Sequence, residues 1–284
     1  MARANSGGTA RIGNLAPMLH ALHLAALDAS VEVRFVGPAT QFLFGAAERA
    51  WSRCLAEGPR APARVAEPLD VFVPAPGPAS AGAPGNPGLG QAMALQRLTQ
   101  DVTRRLIAAQ VGRLLMLHAG AVSHPVTGES LVFVAPGGTG KTTLARTLGR
   151  RYGYLTDETV GIDDSGRIHQ YPKPLSLHVP GGGHKEEASP DDLGLARAHP
   201  EPTVRGVILL DRPPGHAGAP DIVDLSTLDA VEQILPETSS LSRLPQPLRR
   251  LADLAEQCGP VLRCSYAEAG DLGPLAADLI GDVA

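Results

Sequence analysis

One stretch decides the fold: residues 131–148 read LVFVAPGGTGKTTLARTL. Its first four residues are apolar, as in a buried strand, and residues 144–151 have the composition of a helix. The bend between them, residues 135–143, follows the pattern G-x-x-x-x-G-K-S/T, except that Ala135 replaces the first glycine. Backbone N–H groups converge on phosphate oxygens in such a bend, and the helix N-terminus favours anions. The stretch therefore predicts an α/β fold with a phosphate-binding loop.

The residue types in this loop match what a nucleoside triphosphate requires. Glycines let the backbone wrap around the phosphates, a lysine reaches the β- and γ-phosphates, and a hydroxyl ligates Mg²⁺. A glycine turn that contains Gly-Lys-Thr by chance would not account for the flanking strand and helix. We predict that the chain binds ATP with Mg²⁺, although the motif does not separate ATP from GTP. The residues expected to bind the nucleotide are Pro136, Gly137, Gly138, Thr139, Gly140, Lys141, Thr142 and Thr143.

An acidic pair, Asp157 and Glu158, follows the helix of the loop. The helix carries the chain about 16 Å away from the loop, at about 1.5 Å per residue. An extended return at about 3.3 Å per residue brings it back by a similar distance, to the carboxyl edge of the sheet. A carboxylate there can bind Mg²⁺ or accept a proton from an incoming hydroxyl. We predict Mg²⁺ ligands at Thr142, Asp157 and Glu158 and a base at Asp157; a solvated turn is the alternative for the pair.

The remainder of the chain predicts two units. Residues 1–90 form a small N-terminal α/β unit that ends in the proline- and glycine-rich linker 74–90, and residues 91–284 form the domain that carries the loop. The stretch 74–90 is equally compatible with an insertion loop inside one domain. The elements predicted in the first unit are a frayed terminus at 1–12, an amphipathic helix at 15–27, strands at 31–36 and 69–73, and a helix at 40–55.

Apolar runs and periodicity place further elements in the second unit. They are helices at 91–111, 229–235, 247–258 and 274–280, paired strands at 114–122 and 131–134, a strand at 154–157 continued at 160–162, and strands at 207–211 and 261–266. Residues 171–199 predict a loop in which Lys173 stands between two prolines, aimed at a phosphate or an acidic substrate unless it is solvent-exposed. Residues 181–187 are glycine-rich and charged like a lid. Arg212 would either neutralise phosphate charge or form a surface salt bridge.

Composition and net charge restrict the classes of partner and the cellular compartment that we predict. The chain has 284 residues, a formal net charge of −4 and a pI near 6.1, which give no basic field for nucleic acid. Its three cysteines lack metal-type spacing and form no disulfide framework, so a cytoplasmic protein is predicted. The early apolar run is too short to span a membrane. We expect no nucleic-acid or membrane partner, and a homo-oligomer remains open.

Three segments together resemble the nucleotide-binding core of HPr serine kinase/phosphorylase. They are residues 117–122 with His118, the loop with its flanking strand and helix, and residues 154–158 with the acidic pair. The loop is also similar to that of ATP-dependent phosphoenolpyruvate carboxykinases, which share this fold, and the chain resembles the smaller HPr-kinase-like proteins of bacteria. The resemblance implies a P-loop core of this type, with His118 close to the γ-phosphate and Asp157 in proton transfer or metal binding. Without the resemblance, a lone histidine that ends an apolar strand is typical of a packed or hydrogen-bonded core residue, so this alternative stays open for His118. Glu158 stands where the family usually has a second Asp.

These features predict an ATP- and Mg²⁺-dependent phosphotransferase that moves the γ-phosphoryl group onto a hydroxyl. The expected acceptor is a serine in a peptide, a protein or a small molecule, and the expected catalytic residues are Asp157, Lys141 and His118. The alternative is a nucleotide-dependent binding or scaffold module of a peptide-modification system, with little or no turnover. Simple nucleoside triphosphate hydrolysis is a third option.

Overall fold

The computed structural model describes residues 19–38, 40–56, 62–73, 87–179, 184–259 and 261–283. The frayed terminus predicted at 1–12 lies outside the described residues, as do the linker residues 74–86. The strands are β1 (Leu19–Ala26), β2 (Ala29–Val36), β3 (Arg64–Val65), β4 (Leu69–Phe72), β5 (Leu115–Leu117), β6 (Ala119–Ser123), β7 (Glu129–Val134), β8 (Gly153–Thr156), β9 (Val160–Ile162), β10 (Ile168–His169), β11 (Leu175–His178), β12 (Lys185–Ala188), β13 (Ala196–Arg197), β14 (Thr203–Asp211), β15 (Asp221–Leu225), β16 (Thr238–Ser239) and β17 (Val261–Ser265). The helices are α1 (Thr40–Ala50), α2 (Pro87–Gln110), α3 (Lys141–Leu148), α4 (Thr227–Ile234), α5 (Pro247–Gln257) and α6 (Gly273–Ile280).

A seven-stranded mixed sheet carries the glycine-rich loop. Its strand order is β13-β8-β6-β7-β14-β17-β15. β7, β14 and β17 are parallel, and β8 points the same way as β7 because β6 lies antiparallel between them. The carboxyl ends of β7 and β8 therefore meet at one edge of the sheet, as the sequence predicted. The alternation of strands and helices makes this an α/β protein.

Successive residues of β7 face opposite sides of this sheet, and both sides are covered. Val132 and Val134 belong to a core that includes residues of α4 and α5. Leu131 and Phe133 belong to a second core that includes residues of α3 and α6. A strand that is buried on both faces is apolar throughout, which explains why residues 131–134 stand out in the sequence.

The sequence predicted an amphipathic helix at 15–27, and this is wrong for its described part. Residues 19–26 form β1, which pairs antiparallel with β2 through a turn in which Leu27 and Asp28 both have positive φ angles of 51° and 54°. Alternate residues Leu22, Leu24 and Ala26 are buried, so the apolar pattern has the period of a strand. The short run allowed either reading, and pairing with β2 decided it.

α1 and α2 pack against the N-terminal sheet and share a core with it. α2 begins at Pro87, four residues before the predicted start of this helix at residue 91. The core also contains Trp51, the single tryptophan of the chain, which is 0% exposed. Its ring lies 6.3 Å from that of Tyr171, measured between centroids. Tyr171 follows the glycine-rich loop in sequence, so the N-terminal sheet contacts the part of the chain that carries the loop.

Two predicted continuities are broken in the structure. The apolar run 114–122 divides at His118 into β5 and β6, which belong to different sheets, and β9 does not continue β8. β9 and β5 instead lie in a four-stranded sheet of order β10-β9-β5-β16. The remaining predicted strands and helices are confirmed, with ends that shift by a few residues. Among the described helices, none has the length and apolar composition needed to cross a membrane.

The stretch 171–199, predicted as a loop, contains the hairpin β11-β12 and the edge strand β13. β12 pairs antiparallel with β11 and contacts α2. Residues 185–187 of the predicted lid are paired strand residues, and closure over the site remains a prediction. Residues 181–183 lie outside the described part of the chain.

Candidate functional site

The loop between β7 and α3 has the backbone geometry that its glycines allow. Gly138 and Gly140 have φ angles of 86° and 110°, in the left-handed region that side chains rarely adopt. A Cβ atom built at Gly137 or Gly138 would meet nothing within 4 Å, so the loop is open around both residues. The Thr139 hydroxyl donates to the Pro136 carbonyl at 3.0 Å and closes the bend.

Lys141 begins α3, and its side chain folds back into its own loop. It is 6% exposed, and its ammonium donates to the carbonyl oxygens of Ala135 and Pro136, at 3.0 Å in the second case. Burial lowers the pKa of Lys141, and nearby carboxylates, Glu237 before Asp157 and Glu158, oppose that effect. The ammonium thus lies at the loop among acidic neighbours.

Thr142 and Asp157 are brought together across the site. The Thr142 hydroxyl donates to Asp157 Oδ2 at 2.8 Å. The other carboxylate oxygen, Oδ1, accepts from the Tyr154 hydroxyl at 3.1 Å and contacts Lys173 Nζ at 2.9 Å. Asp157 is 5% exposed, so both its oxygens are held by protein donors in a buried setting. These contacts between protein groups fix the orientation of the Asp157 carboxylate.

Glu158 is more exposed to solvent than Asp157. Its Oε2 lies 3.2 Å from Lys173 Nζ, and its side chain is 35% exposed, against 3% for that of Asp157. One lysine therefore joins both carboxylates, but only Glu158 also reaches solvent.

Lys173 is the buried counter-ion of the pair. Its side chain is 1% exposed, and its ammonium also donates to the Pro174 carbonyl at 3.0 Å. Burial alone would lower the pKa of Lys173, but Asp157 and Glu158 together raise it above its ordinary value. The prediction that this ammonium faces a phosphate or an acidic substrate is corrected: it faces the chain's own acids.

His118 lies between β5 and β6, beside Glu158 and Glu237. Its backbone N–H donates to the Glu237 carbonyl at 2.6 Å, and the next N–H, of Ala119, donates to the Glu158 carbonyl at 3.2 Å. Burial, and after it the charge of Lys141, lower the pKa of the imidazole. The ring is therefore neutral at pH 7 and suits hydrogen bonding better than charge neutralisation.

Arg212 and Tyr266 flank the loop from the opposite side. The Tyr266 hydroxyl donates to the Thr139 carbonyl at 3.1 Å. The Arg212 guanidinium carbon lies 6.0 Å from the centroid of the Tyr266 ring, and its Nε donates to the Ala267 carbonyl at 3.0 Å. Sequence reasoning singled out Arg212 but missed Tyr266, Tyr154 and Glu237, because each reaches the site from an element whose placement depends on long-range pairing.

The fold and the site define an α/β protein in which a glycine-rich loop, a hydroxyl and an acidic pair meet at one sheet edge. No protein-family model matches the sequence, and a search of curated proteins finds no match. Among solved structures, the chain is similar to the HPr(Ser) kinase/phosphatase from Coxiella burnetii, with 12% sequence identity and a TM-score of 0.32. The similarity covers 58% of this chain and 93% of that one.

Proposed function

We propose that this chain is a Mg²⁺-dependent phosphotransferase that moves the γ-phosphoryl group of ATP onto a hydroxyl, such as that of a serine. The observation that carries the proposal is the contact between Thr142 and Asp157 at the end of a glycine-rich loop. It joins a loop suited to polyphosphate with the oxygen ligands that a phosphate-bound metal prefers.

The residues fit Mg²⁺ by their chemistry and by their spacing. Mg²⁺ takes an octahedron of oxygen ligands at about 2.1 Å, in which neighbouring oxygens lie about 2.9 Å apart. Thr142 Oγ1 and Asp157 Oδ2 are 2.8 Å apart, so they match one edge of such an octahedron. Thr142 and Asp157 would hold the metal, whose positive charge would offset the negative charge that develops during transfer.

The loop would supply the remaining stabilisation of phosphate charge. Its backbone N–H groups and the N-terminus of α3 favour an anion. Lys141 would exchange one of its two carbonyl partners for a phosphate oxygen, which requires only a local movement of a flexible side chain.

One member of the acidic pair, Glu158, would receive the proton of the acceptor. The acceptor oxygen attacks the γ-phosphorus, the bond from that phosphorus to the bridging oxygen breaks, and ADP leaves with the electron pair. A carboxylate has about four lone-pair sites, and Asp157 already accepts from Thr142, Tyr154 and Lys173. Glu158 has more room for the proton, so we assign Asp157 to the metal and Glu158 to the acceptor hydroxyl.

A transfer assay with the full chain tests the proposal. The chain is incubated with Mg²⁺, γ-labelled ATP and an acceptor set of serine-containing peptides, free serine and small alcohols, and the fate of the label is followed. Label on an acceptor supports a phosphotransferase. Labelled inorganic phosphate alone would indicate a hydrolase. ATP binding without any release of label would indicate a nucleotide-dependent binding module.

Two variants separate the assigned roles. Glu158→Gln should slow transfer by about 10²- to 10⁴-fold, the usual contribution of a general base, while Mg·ATP affinity is kept. Asp157→Asn should abolish transfer and also weaken the effect of Mg²⁺ on ATP binding. Glu256→Gln, at an exposed position of α5, is the control for loss of one carboxylate. A Glu158→Gln protein with wild-type transfer would remove Glu158 from this role.

A further inference from the structure

The order of the strands determines which way a bound polyphosphate would run across the glycine-rich loop. Asp157 follows β8, which lies two strands from β7 on one side, and Arg212 follows β14, the neighbour of β7 on the other side. Under the proposed function, the metal-bound end of the nucleotide lies towards Asp157. The nucleoside end must then leave the loop on the opposite side, over the carboxyl ends of β14 and β17.

Arg212 does not point into the phosphate cradle. The Thr139 carbonyl accepts from Tyr266, and the N–H of Gly140 belongs to the same trans peptide, so it points the opposite way. A Cβ atom built at Gly140 would lie 3.0 Å from the Tyr266 hydroxyl and 3.9 Å from Arg212 Nη1. Both side chains thus flank the outer wall of the loop, away from the amide that would meet a phosphate.

Arg212 presents a flat surface that is held in place. Its guanidinium lies beside the Tyr266 ring, which is 1% exposed, and donates to the Ala267 carbonyl. The Arg212 side chain itself is 45% exposed, so part of the guanidinium remains open to solvent. Its Nη2 lies 3.6 Å from Glu268, which offsets part of its charge. Arg212 therefore presents a planar guanidinium surface to a ligand, with its positive charge partly offset.

We propose that Arg212, supported by Tyr266, forms the nucleobase subsite of the nucleotide site and stacks its guanidinium on the base. Planar guanidinium groups stack on aromatic rings, and every nucleobase offers such a face. The inference rests on the proposed function, because it assumes that a nucleoside triphosphate occupies the loop.

Calorimetry with two ligands tests this inference in the full chain. Mg·ATP carries a base, and Mg·tripolyphosphate carries the same chain of phosphates without one. Arg212→Ala should weaken Mg·ATP binding by roughly tenfold and leave Mg·tripolyphosphate binding within about twofold. Arg212→Lys keeps the charge and loses the plane, so it should behave like Arg212→Ala.

Arg205→Ala is the matched control, because Arg205 is an exposed arginine towards the other end of β14, beside Glu129. It should leave both affinities unchanged. Equal loss of both ligands in Arg212→Ala would make Arg212 a phosphate ligand and overturn the inference. Unchanged Mg·ATP binding in Arg212→Ala, or wild-type Mg·ATP binding in Arg212→Lys, would also overturn the inference. A wild-type chain that binds neither ligand would refute the proposed function itself, and the subsite with it.

Discussion

At the residue scale, the metal site proposed above depends on the hydroxyl of Thr142. It contributes one of the two oxygens that match an edge of a Mg²⁺ octahedron, and valine has nearly the same shape without the hydroxyl. A variant that removes only this oxygen therefore separates metal binding from folding.

Thr142→Val should weaken ATP binding at least about tenfold in the presence of Mg²⁺ and leave binding without metal nearly unchanged. Titration calorimetry with and without Mg²⁺ measures both. Thr147→Val, at an exposed position of the same helix, should change neither affinity. A Thr142→Val protein that keeps the wild-type response to Mg²⁺ would contradict a metal role for this hydroxyl.

Glu187 provides a second residue-scale prediction, on stability. Burial raises its pKa despite a 2.6 Å hydrogen bond from Ser176, and its Oε2 is buried without a hydrogen-bond partner among the residues that the structure describes. The Thr99 hydroxyl faces this carboxylate and favours its charged form, but not in hydrogen-bonding geometry. Ionised Glu187 therefore costs the folded state free energy.

The direction in which stability changes with pH follows from the raised pKa of Glu187. The folded state binds the proton more tightly, so this contribution to stability is present below the ordinary pKa of 4.5 and is lost as pH rises through the folded-state pKa. Glu187→Gln should therefore be more stable than wild type at pH 7, and the difference should vanish below about pH 4.5. Urea unfolding across this pH range measures it; a less stable Gln variant at pH 7 would refute the prediction.

At the scale of elements, β6 connects the loop strand β7 to β8, and Gly120 is where this contact is tightest. Gly120 lies opposite Phe133 in the antiparallel pair, and a Cβ atom there would lie 2.1 Å from the Phe133 ring. The ring cannot move freely, because Phe133 is 0% exposed within the core on that face of the sheet.

Gly120→Ala should lower the free energy of unfolding by about 1–3 kcal/mol, since the core must adjust to an overpacked ring. Gly45→Ala is the matched control: Gly45 lies within α1, and a Cβ atom there meets nothing within 4 Å. That change should stabilise the chain by roughly 0.5–1 kcal/mol. Denaturant unfolding of both variants tests the pair, and equal effects would refute the packing argument.

Elements that the sequence predicted are those with local signals. The apolar strand 131–134, the glycine bend and the helix after it follow from residue types in one stretch, and chain geometry alone placed Asp157 beside the loop. The hairpin at 19–36 was misassigned in its first half because a short apolar run with two histidines suits a helix or a strand. The sheet of β5, β9, β10 and β16 depends on pairing between distant segments, which leaves no local pattern. For the same reason Lys173 was noticed but its partners were not.

At the scale of the whole molecule, α2 links the two predicted units. Its buried residues belong to the core of the N-terminal sheet, and Tyr171 joins the same core. Arg53 adds a 2.9 Å ion pair with Asp191. The division into domains at residue 90 remains a prediction, but a cut there would separate this helix from the sheet that it covers.

A chain that starts at residue 91 should therefore expose the apolar face of α2, formed by Leu95, Leu98, Val102 and Leu106. Such a surface favours association, so the fragment should be less soluble than the full chain and should bind a hydrophobic dye. Size-exclusion chromatography and dye fluorescence measure the two effects. A monomeric, dye-free fragment that still binds Mg·ATP would support two independent domains instead.

Trp51 gives the molecule a built-in optical reporter. The chain has one tryptophan, so its indole emission comes from a single place, the fully buried ring near Tyr171. We expect a blue-shifted spectrum in the native chain, and a red shift as soon as water reaches that ring. Because the indole lies where the core of the N-terminal sheet meets Tyr171, its emission wavelength would report loosening of this junction even while the glycine-rich loop and its sheet remain intact.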